Sequence, residues 1–105
     1  MEKPNLKYIN NLSKNDNKFK HKIIKIIKLE LKQEVDAYYE SLQTINFSST
    51  IFIVHKIKHK ISLLGLEKSY YLAEKFENNL KLGSTNLQTE FEEILNKMQN
   101  FVDSL

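Results

Sequence analysis

The chain has three histidines and no cysteine, which removes thiol nucleophiles and makes the imidazoles the side chains to weigh first for chemistry. Two of the three, His55 and His59, stand one helical turn apart in Phe52-Ile53-Val54-His55-Lys56-Ile57-Lys58-His59-Lys60. An exposed imidazole titrates near pH ~6.5, so at neutral pH a ring nitrogen with a free lone pair is available for attack. Lys58 lies three residues beyond His55, the spacing at which two side chains meet on a helix. A nucleophilic nitrogen beside a cation suits phosphoryl transfer, where positioning and charge neutralisation supply most of the catalysis. There is no Gly-rich phosphate loop and no convincing carboxylate cluster for Mg²⁺. The chain is therefore expected to bind no ATP and to need no metal or cofactor of its own. His21 lies in a Lys-rich stretch with no partner at metal-ligand spacing and reads as surface.

A helical wheel sorts these residues. With Val54 at zero and 100° per residue, Ile53, Leu64, Ile57 and Ile61 fall between about 260° and 340° and form the buried stripe. Ser62, His55 and His59 fall at about 80°, 100° and 140°, outside the stripe, with Lys58 at about 40°. Phe52 and Leu63, at about 160° and 180°, also lie off the core arc. They form a docking surface beside His55, or else are ordinary surface residues, or are buried by a neighbouring helix in a crowded bundle. Lys56 and Lys60, at about 200° and 240°, add background positive potential only.

The elements that position this helix follow from periodicity. Asn5–Leu12 is a short segment after Pro4. Asp16 caps a long helix from Asn17 to about Thr44, with apolar residues from Phe19 to Leu42 spaced three or four apart. Asn46 and the Ser48-Ser49-Thr50 cluster offer caps for the third helix, Thr50–Leu64, which stops at Gly65. The fourth, about Glu67–Leu82, stops at Gly83, and Thr85 with Gln88 forms a capping box for the last. Tyr38-Tyr39 and Tyr70-Tyr71 read as core edge. Short connections favour antiparallel neighbours, so the expected architecture is all-α: an up-down four-helix bundle with a short additional N-terminal helix.

These residues resemble the signature of histidine-containing phosphotransfer domains. The likeness rests on His55-Lys56-Ile57-Lys58, on Gly65 ten residues after His55 with Leu66 next, and on Ala73 and Phe76-Glu77. It covers the chain end to end. It implies that His55 is phosphorylated, that Lys58 assists, and that the partners are response-regulator receiver domains and a hybrid sensor kinase. It also implies a relay intermediate rather than a self-sufficient enzyme, with partner docking expected at Phe52, Lys56, Leu63 and Gly65. The departure is His59, where the family usually has Gly, followed by Lys60 where a small residue is common. His59 would either crowd docking or donate a hydrogen bond to the phosphoryl oxygens, and Ser62 shares its face. Glu77 should lie level with His55 on the fourth helix. It either orients the imidazole through the other ring nitrogen or is simply solvated, and the solvated reading is preferred because a negative charge near a phosphoryl group is costly. A non-phosphorylated adaptor that docks a receiver or another acidic protein is the alternative.

Composition bounds the rest. With 105 residues, 41% apolar and 28% charged, one folded domain spanning 1–105 is expected. Two Gly and one Pro are too few for a sandwich or barrel. Residues 1–60 hold twelve Lys and six acids, and residues 61–105 four Lys and seven acids. Nucleic acid is not expected as a partner, because every basic residue is Lys and none is the Arg that makes bidentate contacts. No apolar run approaches a membrane span, and the polar Met1–Lys7 is no signal peptide, so a cytoplasmic protein is expected; a monomer is the expected state.

Overall fold

The computed structural model describes residues 2–105; Met1, the first residue of the polar N-terminal stretch, lies outside them. Five helices follow in order: α1 Lys7–Ser13, α2 Asn17–Gln43, α3 Phe47–Leu63, α4 Glu67–Lys81 and α5 Gln88–Asp103. Among the described residues there is no strand, and no helix is long and apolar enough to cross a membrane.

Local chemistry sets most of the helix ends. The Asp16 carboxylate accepts from the Phe19 N–H at 3.1 Å and starts α2. Asn46 does the same for α3 through the Ser49 N–H at 3.2 Å. The serine cluster is thus inside α3, which begins three residues earlier than the Thr50 start expected from sequence. Thr50 is buried, its hydroxyl 2.7 Å from that of Ser41. Gly65 adopts φ +74°, and the Leu66 and Gly65 N–H groups close back on Ile61 and Ser62 carbonyls. Gly83 repeats this arrangement after α4, with Ser84 and Gly83 donating to Asn79 and Leu80. The expected capping box at α5 is absent. Leu87 stands at the cap position in a left-handed conformation, and Gln88 donates its side-chain amide to Glu92 instead of closing a box with Thr85.

α2 packs against α1, α3 and α5, and α4 against α3 and α5. Side-chain contacts show opposite chain sense across three of these pairs, α2–α3, α2–α5 and α3–α4. Ser41 meets Thr50 while Glu34 meets Lys60, and Tyr38 meets Glu92 while Lys28 meets the Leu105 carbonyl. Likewise His55 meets Glu77 while Lys58 lies over the Tyr70 ring. The core centres on Tyr38, Phe76 and Phe91, whose ring centroids lie 5.0–6.5 Å apart. Tyr38 is therefore core rather than core edge: it is fully buried, and its hydroxyl donates to Glu92 at 2.9 Å. Phe19, Ile26 and Tyr39, which share the apolar spacing of α2, are exposed rather than buried.

The N-terminal segment straps the α3–α4 turn. The Asn5 N–H donates to the Leu64 carbonyl at 2.9 Å. α4 has no cap of its own, and the Glu2 carboxylate supplies one, accepting from the Lys68 and Ser69 N–H groups at 2.9 and 3.0 Å.

Candidate functional site

Val54, Ile57 and Ile61 are fully buried, so α3 is rotated with His55 outward. The His55 side chain is 52% exposed. Its Nδ1 lies 3.3 Å from Glu77 Oε2 on α4. An ionised carboxylate only accepts, so in the neutral ring this contact favours the tautomer with the proton on Nδ1 and the lone pair on Nε2.

Glu77 corrects the sequence expectation. It is 5% exposed rather than solvated, because Phe76 and Leu80 on α4 turn that helix's face into the α3 interface. Lys58 is corrected with it. Expected off the buried stripe as a cation beside His55, Lys58 is 7% exposed, with Nζ 2.9 Å from Glu77 Oε1 and over the Tyr70 ring at 5.4 Å. Its wheel position borders the apolar stripe, and the neighbouring α4 closes over it. Burial pushes the Glu77 carboxyl up, but Lys58, His55 and Lys81 outweigh burial and hold it below its ordinary value. An ionised carboxylate can thus stand behind the imidazole without solvent.

Lys60 is also more than background potential. Its ammonium lies 3.0 Å from Glu30 and 3.1 Å from Glu34 on α2. Burial depresses the ammonium, yet the two carboxylates outweigh that and hold its pKa above the ordinary value.

Of the expected docking residues, Phe52 is 63% exposed, with the Lys56 ammonium 5.1 Å from its ring centroid. Leu63 is instead half-buried against the core, because the last turn of α3 is covered where the chain doubles back. The open side of Gly65 faces the Asn5 side chain; a Cβ there would sit 2.7 Å from Asn5 Nδ2. Gly65 thus lets the Asn5 side chain pack against the α3–α4 turn. His59 and Ser62 are exposed on one groove with Tyr8, Tyr70 and Tyr71, and the His59 ring stands edge-on to His55 at 5.3 Å.

One residue was not singled out by sequence. Lys81, one turn beyond Glu77 on α4, places Nζ 3.6 Å from Glu77 Oε2 with its side chain 56% exposed. The i, i+4 Glu–Lys spacing was the available signal. Among the described residues, no group of three or more His, Cys, Asp or Glu is arranged to hold a metal ion. Compared with known protein families, curated proteins and solved structures, the chain matches none.

Proposed function

We propose that the chain is a histidine-containing phosphotransfer protein, a cytoplasmic and monomeric relay in which His55 Nε2 accepts a phosphoryl group from a receiver-domain phospho-aspartate or returns it to one. Its helices would form an up-down four-helix bundle, α2 to α5, with α1 as the short addition. The observation that carries this reading is the exposed His55 ring held through Nδ1 by a buried carboxylate.

In the transfer, Nε2 attacks phosphorus, the P–O bond to the aspartyl carboxyl breaks, and the carboxylate leaves with its electron pair. The new P–N bond makes the ring cationic. Glu77 accepts from Nδ1–H and balances that charge where it develops, in a site that needs no reorganisation to do so. Lys58 contributes indirectly, by keeping Glu77 ionised. ATP and Mg²⁺ chemistry would belong to the sensor kinase and receiver. Phe52, with Lys56 stacked on it, is the apolar contact left open for docking.

The test is to incubate the chain with a phosphorylated receiver and look for acid-labile, base-stable phosphate. His55→Gln should abolish labelling with the fold intact, and His59→Gly should preserve it. Phosphate retained on the His55→Gln protein and lost only on changing His59 overturns the assignment.

A further inference from the structure

Two lysines converge on Glu77, and their settings differ. Lys58 approaches Oε1 at 2.9 Å with its side chain 9% exposed. Lys81 approaches Oε2 at 3.6 Å, beyond ordinary hydrogen-bond length, with its side chain 56% exposed. We infer that Lys81, rather than Lys58, is the catalytic cation that neutralises a phosphoryl group on His55. The inference rests on the phosphorelay reading and names a further residue of that same site.

Glu77 Oε2 is shared by His55 Nδ1 and Lys81 Nζ, so the Lys81 ammonium lies within two polar contacts of the imidazole. A phosphoryl group brings about two negative charges to the Nε2 side of that ring. Lys58 cannot turn to meet them without breaking the 2.9 Å contact that is the Glu77 carboxylate's shortest ion pair inside the α3–α4 interface, which is costly. Lys81 gives up only a long, solvated contact, worth little to the fold. Its four-carbon stem is free to swing, and a compact ammonium suits a moving anion. The other lysines of α3 are committed elsewhere. Lys56 stacks on Phe52, and Lys60 is held between Glu30 and Glu34 on the α2 side. Lys81 is thus the exposed cation already touching the His55–Glu77 constellation.

The experiment uses the whole chain and phosphoramidate, a small phosphoryl donor, so that no receiver pocket masks the effect. Nε2 attacks phosphorus, the P–N bond of the donor breaks, and the leaving nitrogen takes a proton from water and departs as ammonia. Labelling rate, phosphohistidine lifetime and melting are compared for wild type, Lys81→Ala, Lys81→Arg and His55→Gln. Lys81→Ala should label about fivefold more slowly, the size of one partly exposed charge contact, with unchanged melting. Lys81→Arg should recover most of the rate, and added salt should shrink the difference. Wild type that labels on His55 with Lys81→Ala labelling equally fast overturns the role of Lys81 and leaves the relay reading standing. No phosphohistidine on wild type, or label that persists on His55→Gln, overturns both.

Discussion

Lys58→Met probes the buried charge pair behind the imidazole. Methionine fills much of the lysine stem's volume and removes only the ammonium, so the Glu77 carboxylate loses its nearest cation, now 2.9 Å away. Breaking a buried ion pair by deleting one partner costs about 3–5 kcal/mol. Glu77 would keep His55 at 3.3 Å and Lys81 at 3.6 Å. That residual compensation brings the expected loss to about 2–3 kcal/mol, or roughly 10–20 °C in Tm for a domain of this size. Thermal and urea melts followed by far-UV circular dichroism measure it. The companion Lys58→Met/Glu77→Leu protein removes both charges and should return to within about 1 kcal/mol of wild type, since an apolar replacement of a buried pair is often neutral. A pH series adds a signed check. A carboxyl held below its ordinary value of 4.5 contributes stability that is complete above that pH and is lost as pH falls through the folded value. The double variant should lack the Glu77 share of that acid limb. Lys58→Met melting within about 2 °C of wild type would refute the reasoning, because that is how a surface lysine behaves.

Leu63→Asp should cost about 1–3 kcal/mol in urea melts because its side chain packs against the core, whereas Phe52→Asp should leave melting within about 0.5 kcal/mol and weaken receiver binding in a titration. Gly65→Ala should lower Tm clearly more than Gly83→Ala: both have positive φ, but a Cβ at Gly65 meets Asn5 while one at Gly83 meets open space. The Lys60 ammonium, held above its ordinary value of 10.5, contributes stability that is complete below that pH and is lost as pH rises through the folded value; Lys60→Met should lack this alkaline limb in melts.

What could be read from sequence was what local rules decide. Asp16, Asn46, Gly65 and Gly83 act within a few residues of themselves, and each marks a helix boundary in the structure. The outward setting of His55 was legible too, because Val54, Ile57 and Ile61 define the buried stripe independently of any partner helix. Lys58 and Lys60 flank that stripe, and whether a flanking lysine is wet or enclosed depends on which helix lies beside it. Only the α3–α4 pairing makes Glu77 the neighbour of Lys58, and only the α2–α3 pairing brings Glu30 and Glu34 to Lys60. The Thr85 box failed for a related reason: the left-handed turn at Leu87, two residues on, redirects the chain before the box can close. Glu2 was out of reach of pattern reading, since its partners, Lys68 and Ser69, lie at the other end of a tertiary contact.

The two lysine clusters sit about 200° apart around α3, one engaged toward α4 and the other toward α2. Together they act as opposed guy-ropes on that cylinder. A rotation of one residue, about 100°, would pull both ammoniums from their carboxylates at once. An apolar stripe alone tolerates such slippage, because Ile, Leu and Val side chains exchange places at small cost. The charge pairs thus convert a greasy seam into an indexed one, in which the bearing of the imidazole is fixed to a fraction of a turn. Replacing both clusters with apolar residues should preserve or raise the melting temperature while broadening the His55 ring resonances in NMR spectra; sharp, unshifted resonances would show that hydrophobic packing sets the bearing by itself.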